Sequence, residues 1–245
     1  MNKCGYITLL SSVDYLPAVL ALGVSLQQVQ SQYPFIIAVT DNIYDNVNPV
    51  LKNCPYIIEK VPCLSYSPAT YEWIAKNEQY DSVKNTASKI TLFNLTQYDK
   101  LVYIDADCLV IQNIDDLFSR PDGSMIKYDD DPWGFTGLMV FEPKMHNYQL
   151  YKYIIETCLG FDGNLIGSLW FPCKSNYAYQ IPPTYLWHYD FKDDNNSTTS
   201  FVKVIHFCNH PKPWIEVSQY YNAEIHPMLC NYLWIIKKVK EKYRL

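Results

Sequence analysis

Residues 100–110 read Lys-Leu-Val-Tyr-Ile-Asp-Ala-Asp-Cys-Leu-Val, an apolar run closed by two carboxylates one residue apart. A run rich in Val, Ile and Tyr with no polar face reads as a strand buried on both sides, which calls for an α/β sheet covered by helices. In such sheets ligands collect just beyond the carboxyl ends of the strands, where Asp105 and Asp107 fall. Two like charges held together away from water are costly without a cation, so a hard divalent ion such as Mn²⁺ or Mg²⁺ is the natural partner. The competing reading is a turn in which Asp105 and Asp107 cap the segment 111–118, because Asp-x-Asp is short and common in turns.

The flanking sequence supports the sheet. Tyr6-Ile7-Thr8-Leu9-Leu10 is an apolar run, and Ser11, Ser12 and Asp14 are good N-cap residues for a helical pattern over 15–30 with Pro17 in its first turn. Residues 35–40 and 56–61 read as two more strands with a short helix at 45–53 between them, and this alternation argues for parallel strands joined by crossovers. Residues 62–81 break the pattern and read as an excursion or lid. A helix at 84–95 leads into the strand that ends at Asp105, a helical turn follows at 111–118, and strands at 125–127 and 135–141 precede a helix at 144–159. The strand 202–207 carries His206 near its end, and Met228, Leu229, Tyr232, Leu233, Ile236 and Val239 mark a C-terminal amphipathic helix at about 226–242. No repeat or linker divides the chain, so 1–245 is expected to be one α/β domain with a mostly parallel, Rossmann-like sheet.

Several function classes are excluded by composition. With 25 acidic against 20 basic residues the net charge is −5, which leaves no basic field for nucleic acid. No apolar stretch reaches the roughly 18–20 residues of a membrane span. The eight cysteines show no CxxC pair or zinc-ligand spacing, and the first residues lack the apolar core of a signal peptide. A reducing, cytoplasmic setting is therefore expected, in which the Asn-x-Ser/Thr sequons at Asn94, Asn195 and Asn196 carry no sugar.

Two further residues join the carboxylates. A neutral imidazole from His206 beside Asp105 and Asp107 completes a borderline-hard metal site, although a lone histidine at a strand end is more often a structural residue. Lys212 stands between Pro211 and Pro213, which suits a point charge that must meet a diphosphate at little entropic cost, or else an exposed Lys on a stiffened turn.

Taken together, several motifs resemble the glycogenin-like family 8 of retaining glycosyltransferases. They are Thr8-Leu9 through Tyr15 with Leu22-Gly23-Val24-Ser25-Leu26, then Leu95-Thr96-Gln97-Tyr98-Asp99-Lys100 leading to Asp105-Ala106-Asp107. Asn113-Ile114-Asp115-Asp116-Leu117-Phe118, Thr136-Gly137, Phe161-Asp162-Gly163 and the run from His206 to Trp214 complete the set. The match is collinear from about residue 6 to 216.

The resemblance implies a GT-A fold, Mn²⁺ (or Mg²⁺) and a UDP-sugar donor, UDP-glucose first. It implies metal ligation by Asp105, Asp107 and His206, and diphosphate contacts from Lys212 and the backbone at Ala106 and Asn209. Leu9, Ser11 and Tyr15 would cradle the uracil, and Lys89 would contact donor phosphate or sugar. Where the family has a second acid followed by Gln, an ungapped match places Leu165 and Ile166, and the Asn before Thr136-Gly137 is replaced by Phe135. Asp162 is left as the candidate in that segment for orienting the sugar, and with Lys89 it forms the catalytic pair implied. The family includes self-glucosylating members, so the acceptor can be a protein or glycan hydroxyl including the chain's own tyrosine, with Tyr185 and Tyr189 in the corresponding region. A separate glycan acceptor and a non-catalytic UDP-sugar binder are the alternatives, and a homodimer through the C-terminal helix is allowed.

Overall fold

The structure is a computed structural model describing residues 3–77, 84–127, 134–162, 165–166, 179–188, 202–208, 212–215 and 227–245, and two sheets account for the strands among these described residues. The larger contains β1 (Cys4–Leu10), β2 (Phe35–Thr40), β3 (Ile57–Val61), β4 (Lys100–Ile104), β6 (Ser124–Ile126), β7 (Phe135–Phe141) and β8 (Gln180–Ile181) in the order β3-β2-β1-β4-β7-β6-β8. β5 (Cys108–Val110), β9 (Leu186–His188) and β10 (Val204–His206) form the smaller one, in the order β5-β10-β9. The helices are α1 (Leu16–Gln28), α2 (Asp41–Leu51), α3 (Pro68–Lys76), α4 (Met145–Thr157) and α5 (Pro227–Tyr243), with a long 3-10 segment at Ala87–Asn94.

The buried apolar runs behave as their composition demands. From Gly5 to Leu10 every residue of β1 is buried, because the sheet is covered on both faces. Tyr6 and Leu10 enter one core with α1 and α5, whereas Ile7 and Leu9 enter a second core with the 3-10 segment and α4. That split is the strand's period of two. β1 pairs in parallel with β2 on one side and β4 on the other, with Tyr6 opposite both Phe35 and Val102. β7 then runs antiparallel to β4, Ile104 opposite Leu138.

The order of these strands decides where a ligand goes. The chain leaves β1 toward β2 and β3 on one side and returns to β4 on the other, so the carboxyl ends of β1 and β4 flank the switch point where open α/β sheets bind ligands.

Several expectations need correction. Of the segment 62–81, the part up to Asn77 is described and is not simply an excursion: Ser67 caps α3 by accepting from the Thr70 amide at 3.2 Å, and Tyr66 and Ile74 are buried, while 78–81 lie outside the described residues. Residues 84–95 are 3-10 rather than α-helical in their regular part, the first helix after β2 starts at Asp41, and the turn after the carboxylates is confined to Asp115–Ser119. Ser11, Ser12 and Asp14 make no side-chain cap, since α1 is preceded by a 3-10 turn at Val13–Tyr15. The strand bearing His206 belongs to the small sheet, not the main one.

The C-terminal helix packs Tyr232, Ile235, Ile236 and Val239 into the first core. Tyr232 stacks on Phe207 with centroids 4.3 Å apart, and Lys240 donates to the Trp214 carbonyl at 2.8 Å. This helix therefore buttresses the loop that carries Lys212. No helix among the described residues is long and apolar enough to cross a membrane.

Candidate active site

A cavity of about 410 Å³ opens at the switch point. Leu9, Ser11, Ser12 and Tyr15 line it from the end of β1, and Tyr103, Asp105, Ala106 and Asp107 from the end of β4. Asn85 and Thr86 come just before the 3-10 segment and Lys89 from within it, Thr136 from β7, Phe161 and Asp162 after α4, His206 from the end of β10, and Cys208 and Lys212 after it. All but one of the site residues expected from sequence meet here. The exception is Asn209, which lies outside the described residues, as does Tyr189.

The turn reading of the paired aspartates does not survive. Ile114 precedes the Asp115–Ser119 turn without any side-chain cap bond, and the aspartate carboxylates are engaged by other side chains. Asp107 is buried, with Oδ1 3.2 Å from His206 Nε2 and Oδ2 2.7 Å from Lys212 Nζ. Burial alone would raise its pKa, but His206 first and Lys212 second hold the carboxyl well below the usual range. Lys212 also donates to the carbonyls of Phe207 at 2.7 Å and Cys208 at 3.2 Å, so it is a fixed buried cation rather than an exposed one.

A second network centres on Lys89, whose Nζ lies 2.9 Å from Asp162 and 3.3 Å from Asp105. Tyr103 donates to Asp105 Oδ1 at 2.7 Å, and the Lys89 ammonium lies 4.9 Å from the Tyr103 ring centroid. Asp162 Oδ1 accepts from Thr86 at 2.6 Å and Tyr66 at 2.9 Å. Burial pushes the Lys89 ammonium toward losing its proton, yet the charges of Asp105 and Asp162 outweigh it and raise the pKa. Burial likewise opposes ionisation of Asp162, and Lys89 with the two hydroxyls overcomes that and lowers its pKa.

The expected metal triad is only partly contiguous. Donor atoms of Asp107, Cys108 and His206 lie within 4.8 Å of one another; Asp105 is not in that group and is engaged instead by Lys89 and Tyr103. The donor set still fits a hard or borderline divalent ion: three carboxylates face two ammonium groups in one cavity, so a diphosphate entering it needs more positive charge than the lysines supply.

Sequence reasoning missed several members. Tyr103 was findable, since a strand places i and i+2 on one face and Asp105 is two residues on. Tyr66, Thr86 and His188 reach the site through tertiary packing alone. His188, on β9 opposite His206, has its Nδ1 3.1 Å from that of His206, and burial, then His206, push its pKa down to about 4. Leu165 and Ile166 are buried in the second core, so the missing acid has no substitute at those positions. Tyr185 is also buried, bonded to Asp116 and accepting from Lys203 at 2.8 Å, which makes it a structural residue. Asp115 is one as well, joining Tyr6, Ser31 and the Gln32 amide.

Gly137 supplies a test of how tightly the site is built. Its carbonyl accepts from the Asp105 amide at 2.9 Å, and a Cβ there would sit 2.5 Å from Asp105 Oδ2 and 2.2 Å from the Phe135 ring. Gly137→Ala is expected to cost about 1–3 kcal/mol through overpacking. Chemical denaturation measures the loss, and Phe135→Leu in the same chain should return part of it.

No protein-family model matches the chain. Its relatives are glycogenins and galactinol synthases. It is 26% identical to Glycogenin-1 of Mus musculus over 242 residues, covering 94% of this chain and 70% of the relative. It is 24% identical to Galactinol synthase 7 of Arabidopsis thaliana over 254 residues, covering 85% and 73%. The chain spans 63% of the length of human Glycogenin-1 and 31% of the Neurospora crassa glycogenin. Among solved structures, galactosyltransferase LgtC in complex with donor and acceptor sugar analogs superposes with a TM-score of 0.58 at 12% identity, covering 98% of this chain and 99% of that one. The apo-form glycosyltransferase GlyE of Streptococcus pneumoniae gives 0.58 at 13% identity, covering 99% and 64%. At such identities the structural likeness shows the fold, which is GT-A.

Proposed function

We propose, from the premise that this chain is a glycogenin-like glycosyltransferase of the GT-A fold, that it moves a hexose, glucose first, from a UDP-sugar to a hydroxyl of a protein tyrosine or a glycan with retention of anomeric configuration. The observation that carries this reading is Asp107 in contact with both His206, at 3.2 Å, and Lys212, at 2.7 Å, at the wall of a cavity that Leu9, Ser11 and Tyr15 also line. Leu9 and the ring of Tyr15, set edge-on to Trp214 with centroids 5.1 Å apart, form the uracil side of the cavity. Asp107 and His206, with Asp105 lining the same cavity, would hold Mn²⁺ or Mg²⁺. When bound, that ion supplies Lewis-acid stabilisation of the departing diphosphate.

The chain's own residues do the rest. Lys212, preoriented by the carbonyls of Phe207 and Cys208, places a fixed ammonium where charge develops on the leaving phosphate. Lys89 sets the position of Asp105 and Asp162, and Asp162 faces the sugar end of the cavity beside Phe161. The bond from the anomeric carbon to the UDP oxygen breaks, the acceptor oxygen bonds to that carbon on the same face, and the acceptor proton leaves with the phosphate.

Incubation with UDP-glucose and Mn²⁺ is expected to release UDP, with EDTA stopping the release. Intact mass distinguishes a hexose added to the chain itself from transfer to another acceptor. The core placement of Leu165 and Ile166 favours a second reading, a UDP-sugar binder without turnover. It predicts calorimetric binding of UDP with Mn²⁺ and no release from UDP-glucose, UDP-galactose or UDP-N-acetylglucosamine. Absence of both binding and release would sink both readings.

A further inference from the structure

His206 offers two ring nitrogens, and only Nε2 is used by the site described above. Its Nδ1 faces Nδ1 of His188 at 3.1 Å, and one ring nitrogen of each histidine and the sulfur of Cys208 all lie within 4.8 Å of one another. The parallel pairing of β9 and β10 sets the two imidazoles side by side, His206 opposite His188. The Phe135 ring covers both, with centroids 4.9 Å from His188 and 5.3 Å from His206. Cys208 lines the cavity and gives the cluster an entrance.

We propose that His188, His206 and Cys208 form a second cation site, for a thiophilic divalent ion with zinc as its type. Tetrahedral zinc with Zn–N of about 2.0–2.1 Å and Zn–S of about 2.3 Å requires nitrogens roughly 3.3–3.4 Å apart, which the observed pair meets with a small adjustment. Two imidazoles and a thiolate select zinc over the oxygen-preferring ions that suit Asp105 and Asp107. Binding displaces one proton, from the Cys208 thiol, and a water or phosphate oxygen completes the coordination.

The site is coupled to catalysis through one ring. A neutral imidazole carries a single proton, so coordination through Nδ1 leaves N–H at Nε2, donated to Asp107 Oδ1 at 3.2 Å. A hard ion at Asp107 needs the Nε2 lone pair instead. A neutral His206 ring has one lone pair to give, so the two ions compete for it and zinc is expected to inhibit. Only this antagonism rests on the proposed function; the site itself rests on the three side chains.

Calorimetric titration of the chelator-treated full chain with Zn²⁺ tests the proposal, with Co²⁺ as the spectroscopic probe. Wild type is expected to bind Zn²⁺ and to show a thiolate-to-cobalt charge-transfer band. Cys208→Ala is expected to lose that band, and both Cys208→Ala and His188→Gln to lose more affinity than the ~10–100-fold that removal of an outer-shell partner costs. Zn²⁺ should inhibit UDP release competitively with Mn²⁺, and less so in Cys208→Ala relative to that variant's own zinc-free rate. Zinc affinity unchanged in both variants, or a cobalt spectrum without the thiolate band, overturns the site. Tight zinc binding in a chain that takes neither UDP nor Mn²⁺ leaves the site standing and removes the glycosyltransferase reading, so the two failures are distinguishable.

Discussion

Asp107→Asn is expected to cut UDP release by about 10³-fold or more while leaving the fold in place. The amide keeps the shape of the carboxylate but removes the charge that joins His206 and Lys212. Metal stabilisation of a departing diphosphate is worth several kcal/mol, and each ~1.36 kcal/mol is a factor of ten in rate. Lys212 keeps its bonds to the carbonyls of Phe207 and Cys208, so the folding cost should fall below the ~3–5 kcal/mol of an abandoned buried charge. Steady-state UDP release, Mn²⁺ titration and thermal unfolding on one preparation check the three parts. Activity within tenfold of wild type together with intact Mn²⁺ binding would transfer the central role to Asp105.

How far this site could be read without coordinates differs from residue to residue. The strands 4–10, 35–40 and 100–104 were legible because each is buried on both faces and reads as an unbroken apolar run. Asp105, Asp107, His206 and Lys212 were legible because strand ends concentrate ligands and because their motifs are collinear with a family pattern. The three-residue β5 and the pairing that carries His206 were not, since such strands are too short to show a period and their register is set by a partner distant in sequence. For the same reason His188 gave no signal, although it lies beside His206 in the fold. The division of Asp105 from Asp107 was equally hidden: one residue apart in sequence, they serve different buried lysines, Lys89 and Lys212. Ser11 and Ser12 misled in the opposite sense, as their cap-like chemistry lines the cavity instead of the helix end.

Lys89→Met is expected to be the most destabilising single change in the site, about 3–5 kcal/mol at neutral pH, because it leaves Asp162 and Asp105 facing one another without their cation. The sign of its pH dependence follows from Asp162. In the wild type the folded-state pKa of that group is lowered, so its stabilisation is complete above the unfolded carboxylate value of about 3.9 and is lost as pH falls through the folded value. Without Lys89 only the Thr86 and Tyr66 hydroxyls oppose the burial penalty, and the neighbouring Asp105 carboxylate adds to it, so the folded-state pKa is expected to rise above the unfolded one. The folded variant then binds the proton more tightly than the unfolded chain and gains stability on acidification. Urea unfolding at about pH 7.5 and pH 5 should therefore show little change in the wild type and a recovery in the variant. Equal stability of the two proteins at pH 7.5, with the same pH slope, would show that the Lys89 network contributes little. Adding Asp162→Leu to Lys89→Met removes one of the two stranded charges and should restore part of the stability, since apolar replacement of a buried pair is commonly neutral or favourable. UDP release should stay low in that double variant, because Asp105 still lacks the ammonium that holds it in the cavity.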